Sequence, residues 1–363
     1  MDFVAQFPVP ERLRVPLQQA LRGEPSDWPD ALTDAEVRAL VEHGVAPLVY
    51  AATALPQLRH EALRAAAYEP LRATDVAEVL AALAANGVEA LVLKGTALAY
   101  ELYAAPELRP RSDTDLLIAH ASLPQVRETM LALGFEENPS SGDEHGLRQA
   151  AFTRAPGMVY DVHWAATNVP LFDAVLRYDE LRTRALALPA LGPHARGLSH
   201  VDALLMACIH RVAHHHDSDR LIWFVDIALL RERMSREEHA QFWRIAAQGR
   251  VVAVCQRSIA AADEWLSRSP HDGAEEWLSI EERSREEASR VFLDRAITHG
   301  GVMAASLRAL PWRARLQRVW QLAFPPPEFI RHSFGRRHPL LLPWLYAWRG
   351  VRGVARLFRK ARD

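Results

Sequence analysis

Two carboxylates set two residues apart at the head of an apolar run, Asp113-Thr-Asp115-Leu-Leu-Ile, constrain this chain more than any other feature. Alternate side chains of a strand share a face, so both acids point the same way. Beside a hydrophobic layer such charges cost desolvation energy unless something opposite in charge meets them. Two outcomes follow: solvated acids on an edge strand, or a pair that shares divalent metal ions with hard oxygen ligands. The pair alone does not choose between them.

Its neighbours favour the second. Asp75 to Asn86 has the spacing of an amphipathic helix, Gly87 stops it, and Val88 to Leu93 is a short apolar strand. That strand delivers Lys94-Gly95-Thr96 sixteen residues before Asp113, with a helix beginning at Thr96. A glycine at a strand-to-helix turn lets phosphate approach the backbone, and the helix N-terminus attracts anions. Lys94 is conspicuous because, of 43 basic residues, only it and Lys360 are lysines. Arg109-Pro110-Arg111 precedes the acids; Arg109 is expected to meet phosphate oxygens, the alternative being that both arginines balance nearby acids. Gln149 to Arg154 and Met158 to Trp164 read as a hairpin turning at Ala155-Pro156-Gly157. On its second strand Asp161 and His163 share a face against Tyr160, Val162 and Trp164. Metal held jointly by Asp113, Asp115 and Asp161 would compensate the buried charge, and paired metal ions about 4 Å apart suit nucleoside monophosphate transfer.

Strand, glycine turn, helix, DxD strand and a third acid on a later strand is a layout that resembles the DNA polymerase β-like nucleotidyltransferases. More narrowly, LVLKGTALAYELY, RPRSDTDLLI, YDVHW and HRVAHHH followed by RLIWFVDIALL resemble the bacterial nucleotidyltransferase family 5, over roughly residues 25 to 330. The resemblance implies an α+β fold, a small mixed sheet with flanking helices, plus N- and C-terminal helical regions. It implies metal ligands at Asp113, Asp115 and Asp161, and phosphate contacts at Lys94, Gly95 and Thr96. Mg2+ or Mn2+ is the implied cofactor, NTP the substrate, and an unidentified hydroxyl the acceptor, with AMP the group expected to move. Lys-Gly-Thr departs from the superfamily's usual Gly-Gly or Gly-Ser turn, and the gap to the acids is longer, but both match the narrower family.

The remainder divides by composition and pattern into a helical region over 1–70, a catalytic core over 71–190, a helical domain over 191–325 and a basic segment over 326–363. In the first, Thr33 and Glu36 have capping-box spacing ahead of a helix that ends near His43 and Gly44. Residues 136 to 146 read as polar loop. Helices are expected over 201–215, 221–234, 236–248, 251–268 and 282–298. His210 and His214 share a helical face, a spacing that can bind zinc but more commonly serves hydrogen bonding; with His163 and Asp226 they are candidates for the substrate cleft. Asp226 is expected to accept from one of those histidines or from Arg220.

The tail from His338 to Arg362 alternates apolar residues with arginines, and Gly350 and Gly353 argue against one continuous helix. It is expected to pack on the core, with anionic lipid or RNA as alternative partners. No apolar run approaches the ~18 residues of a membrane-spanning helix. The proline-containing start lacks a secretory pattern, and Cys208 and Cys255 lack metal spacing, so a reducing cytoplasm is the expected compartment.

Three competing readings remain. A binding or scaffold protein could keep the fold without turnover. A sugar-nucleotide glycosyltransferase also uses DxD, but the glycine turn and third acid fit it poorly. A haloacid dehalogenase-type phosphatase requires Thr or Val where this chain has Leu117.

Overall fold

A computed structural model describes residues 7–138, 148–215, 217–266, 286–294, 297–308, 310–325, 327, 330 and 341–358. The described residues begin with helices α1 (Glu11–Leu21), α2 (Asp34–Glu42) and α3 (Ala46–Thr53). At the head of α2 the expected capping box forms: Thr33 Oγ1 accepts from Glu36 N, and the Glu36 carboxylate accepts from Thr33 N at 2.8 Å. Arg12 on α1 donates to both oxygens of the same carboxylate, at 2.7 and 2.6 Å, so one side chain caps one helix and fastens another. His43, past the end of α2, is buried with both ring nitrogens engaged, one by Phe7 O and one by Leu221 N. Burial pushes it down to about 4.

Helix α4 runs without a break from Arg59 to Ala85, where the pattern separates a helical region ending near 70 from a helix beginning at Asp75. Its first half is largely exposed and shows no apolar stripe, and Pro70 reads as a break because it lacks an N–H. The rod nevertheless continues through Pro70, whose carbonyl accepts from Thr74 Oγ1 at 2.9 Å. The 70/71 boundary therefore falls inside one helix.

Seven strands follow: β1 (Leu91–Leu93), β2 (Thr114–Leu117), β3 (Glu136–Glu137), β4 (Gln149–Arg154), β5 (Met158–His163), β6 (Leu186–Ala187) and β7 (Arg196–Gly197). They form one mixed sheet in the order β3-β4-β5-β2-β1-β7-β6, with β2 parallel to β5 and β1 antiparallel to β2. Helices α5 (Lys94–Glu101), α6 (Leu123–Ala132) and α7 (Tyr178–Arg184) are set between the strands. Two details differ from expectation. Glu136 and Glu137 pair with β4 as an edge strand, while the rest of the expected loop, from 139 on, lies outside the described residues. The sheet also reaches Gly197, past the expected core boundary at 190, through a hairpin of two-residue strands.

One face of the sheet presents Val92, Leu116, Phe152, Tyr160 and Val162 to α4 and α6, forming a dry core with Val79, Leu83, Val126 and Met130. The opposite face presents Leu91, Leu93 and Leu117 to a larger core. That core is built by α8 (His200–Ala213), α9 (Leu221–Arg233), α10 (Arg236–Gln248) and α11 (Val252–Leu266), close to their expected spans. Cys208 and Cys255 are buried and free there, as expected. The helix expected over 282–298 lies partly outside the described residues; within them, Ala288–Leu293 is a 3-10 turn. The described residues continue with α12 (His299–Arg308), α13 (Trp312–Ala323) and α14 (Leu342–Leu357). The last runs straight through Gly350 and Gly353, against expectation.

Candidate active site

The acids meet because of strand register. In the parallel β2–β5 pair, Asp115 lies opposite Asp161, and His163, two residues further along β5, shares the face of Asp161. His163 Nε2 stands 2.8 Å from Asp115 Oδ1, and one ligand atom from each of Asp115, Asp161 and His163 fits within a 4.8 Å span. Tyr160 and Val162 go to the opposite, apolar face, as the alternation requires. The compact trio thus includes His163, while Asp113, just ahead of β2, stands outside it and lines the same cavity.

Lys94 Nζ donates to the same Asp115 oxygen at 2.8 Å. Burial pushes the Asp115 carboxyl up, but Lys94 and His163 outweigh it and hold the group well below the usual carboxylate range. Asp113 and Asp161 are both raised, first by burial and then by the charge of Asp115. Three carboxylates thus crowd one pocket in which the only ammonium of the described chain is already engaged with one of them. That imbalance, and a buried His163 Nδ1 with no hydrogen-bond partner among the described residues, suit a divalent cation. Carboxylate oxygens favour Mg2+ or Mn2+, and the imidazole widens the choice toward softer metals. The residues fit the group.

The Lys94-Gly95-Thr96 turn is built differently from its sequence signature. The left-handed backbone falls on Lys94, with φ at 50°, and not on Gly95. Such a conformation costs a non-glycine residue about 1 kcal/mol or more and persists where the surroundings enforce it. Gly95 is needed for space: a Cβ there would stand 3.3 Å from Arg109 Nη1. Thr96 is buried, its hydroxyl accepting from Arg111 Nε at 3.0 Å beneath the turn.

Both arginines of Arg109-Pro110-Arg111 are paired with acids. Arg109 donates from Nε and Nη2 to the Asp226 carboxylate at 2.7 to 3.1 Å, and Arg111 donates to Glu69 on α4 at 2.6 Å. Tyr103 Oη adds a third donor to Asp226, at 2.7 Å. Asp226 therefore serves Arg109 and Tyr103, where the sequence suggested a histidine or Arg220. Arg109 still borders the cavity, but its fork is directed at α9.

Above the acids lies a cavity of about 630 Å³, reaching from Lys94 and Gly95 to α8 and α9. Its far wall is aromatic. His210 and His214 stack with ring centroids 5.1 Å apart, His215 lies 4.4 Å from Trp223, and the Arg220 guanidinium sits 5.7 Å from the Trp223 ring centre. Burial, then Lys94, drives His210 well below its ordinary value and His214 down to about 3, so both are neutral. Among the described residues they join no group of three metal-ligating side chains. Arg220, an expected partner of Asp226, instead lies against Trp223; His215 and Trp223 have no role in the sequence reading, and the available signal is a second aromatic cluster one helix after HRVAHHH.

The described chain therefore brings Asp113, Asp115, Asp161, His163, Lys94, Gly95, Arg109, His210, His214 and Asp226 to one cavity, and buries the Thr96 side chain behind it. Compared with known proteins, residues 29–267 match a family model described as an uncharacterised nucleotidyltransferase. No curated protein matches the sequence.

Proposed function

Because the chain belongs to this uncharacterised nucleotidyltransferase family, we propose that it transfers a nucleoside monophosphate, AMP from ATP, to a hydroxyl group of a small molecule or protein, releasing pyrophosphate. One observation carries the reading: Asp115 and Asp161 are in register on parallel strands, with His163 beside them, under the Lys94-Gly95 turn.

In this scheme Asp115, Asp161 and His163 would hold a divalent ion, with Asp113 adding charge from the same cavity. Bound Mg2+ or Mn2+ would polarise the phosphoryl oxygens and the acceptor hydroxyl. Lys94 moves its ammonium from Asp115 to the triphosphate, and the first amides of α5 add donors to the same oxygens. Asp161, facing the cavity beside Asp115, takes the proton of the attacking hydroxyl. The acceptor oxygen bonds to the α-phosphorus as the bond to the β-phosphate oxygen breaks. Neutral His210 and His214, with Trp223, face the acceptor side, so contacts there are stacking and hydrogen bonds in place of ion pairs.

The test is mass spectrometry of candidate acceptors after incubation with labelled ATP and Mg2+, alongside pyrophosphate release. Native protein is expected to label an acceptor and Asp115→Ala to label none. Equal labelling by both removes these residues from the chemistry, and nucleotide binding without release across all acceptors favours the scaffold alternative.

A further inference from the structure

Far from the acids in sequence, α13 and α14 each turn an apolar stripe outward. On α13, Trp312, Leu316, Val319 and Trp320 recur at helical spacing, and Trp320 is 65 % exposed; Phe324 continues the stripe. On α14 the series is Trp344, Trp348, Val351 and Val354, running on to Phe358, which is 80 % exposed. The helices are anchored by their other sides. Leu345 is buried, Tyr346 Oη donates to Pro325 O, and Arg349 donates to Leu322 O at 2.6 Å, which ties α14 to the end of α13. Soluble proteins rarely leave so much contiguous aromatic and aliphatic surface uncovered without a partner.

Charge identifies the partner. Residues 308–363 hold thirteen arginines or lysines and two acids, although the whole chain has a net charge of -2. At 100° per residue, Arg313 and Arg352 border the two stripes, while Arg315 donates to the carbonyls of Leu307, Arg308 and Leu310 behind α13. We propose that α13 and α14 lie flat on an anionic lipid surface, with their tryptophans at headgroup depth and their arginines against lipid phosphates. None of the described helices is long and apolar enough to cross a membrane, so the contact is interfacial. Self-association through this face would set two strongly cationic segments against each other. An RNA ligand would engage the arginines but leave the aliphatic part of each stripe in water.

The test is co-sedimentation of the full chain with vesicles of phosphatidylcholine alone or mixed with phosphatidylglycerol, at low and high salt. Binding to the anionic vesicles only, weakened by salt, is expected. Arg313→Gln/Arg352→Gln is expected to lower partitioning about tenfold or more. Trp320→Ser/Trp348→Ser is expected to lower it comparably, with an unchanged circular dichroism spectrum. Because these positions are exposed, a misfolded variant is identified by that spectrum, and the lipid and salt comparison on native protein then decides alone. Failure to bind anionic vesicles at low salt overturns the proposal, as does equal binding to both lipids. Dimerisation or RNA binding in the absence of vesicle binding overturns it in favour of that partner.

Discussion

At Asp115 one carboxylate oxygen faces both an ammonium and an imidazole at 2.8 Å, while the two acids beside it are pushed toward protonation. The protein without metal is therefore strained by charge at the point where a cation would sit. Asp161→Asn removes one repelling charge and keeps the shape, so the metal-free variant is expected to melt at a higher temperature than the native chain. The same change is expected to lower turnover about a hundredfold or more, the scale seen when one preorganised electrostatic contact is lost. Scanning calorimetry with and without Mg2+, paired with a pyrophosphate assay, checks both; a lower melting temperature without metal contradicts the electrostatic account. Sequence alone exposed the carboxylates, because a strand's two-residue period fixes which side chains share a face. It did not expose the pairing of Arg109 with Asp226, since those residues lie far apart in the chain and Arg109 could equally have met phosphate. Nor did it promote His163 to the compact trio: that depends on the register between β2 and β5, which no local pattern encodes.

Elements were legible where they were long and periodic. Helices α8 to α11 and the β4–β5 hairpin stand near their expected bounds because each shows an apolar stripe or a clear alternation. The two-residue strands β3, β6 and β7 have no period to detect, and the first half of α4 carries Pro70 and no apolar stripe. The cap of α2 was readable from Thr33 and Glu36, and it carries a pH signature. Arg12, with help from Thr33, holds the Glu36 carboxyl down to about 2, against an ordinary 4.5. The unfolded chain then binds the proton first, so this contribution is complete above pH 4.5 and is lost as pH falls toward 2. Urea unfolding of native and Glu36→Gln proteins is expected to show a stability gap at neutral pH that closes across that window. A gap that persists unchanged at pH 2 would show that packing, and not the ion pair, sets it.

Across the whole molecule, Arg109 and Asp226 join the loop that leads into β2 to helix α9, and both side chains are buried. Taking away one partner leaves the other charged and unpaired, so Arg109→Met is expected to cost about 3–5 kcal/mol. Arg109→Met with Asp226→Leu is expected to recover much of that loss, because the desolvation penalty goes with the pair. Denaturant midpoints of the single and double variants measure this, and additive losses would mean the two residues act independently. Helix α4 links the molecule in a second way. Its Glu69 receives Arg111 and Tyr100, its Asp75 receives Tyr160 and Arg154, and its first turns pack beside α3. A recombinant that joined residues 1–70 of one relative to the remainder of another would splice this rod mid-length, and the rotational phase of every later side chain would have to match across the seam. The opening helices and the sheet are thus bound to be inherited together, as one indivisible stretch.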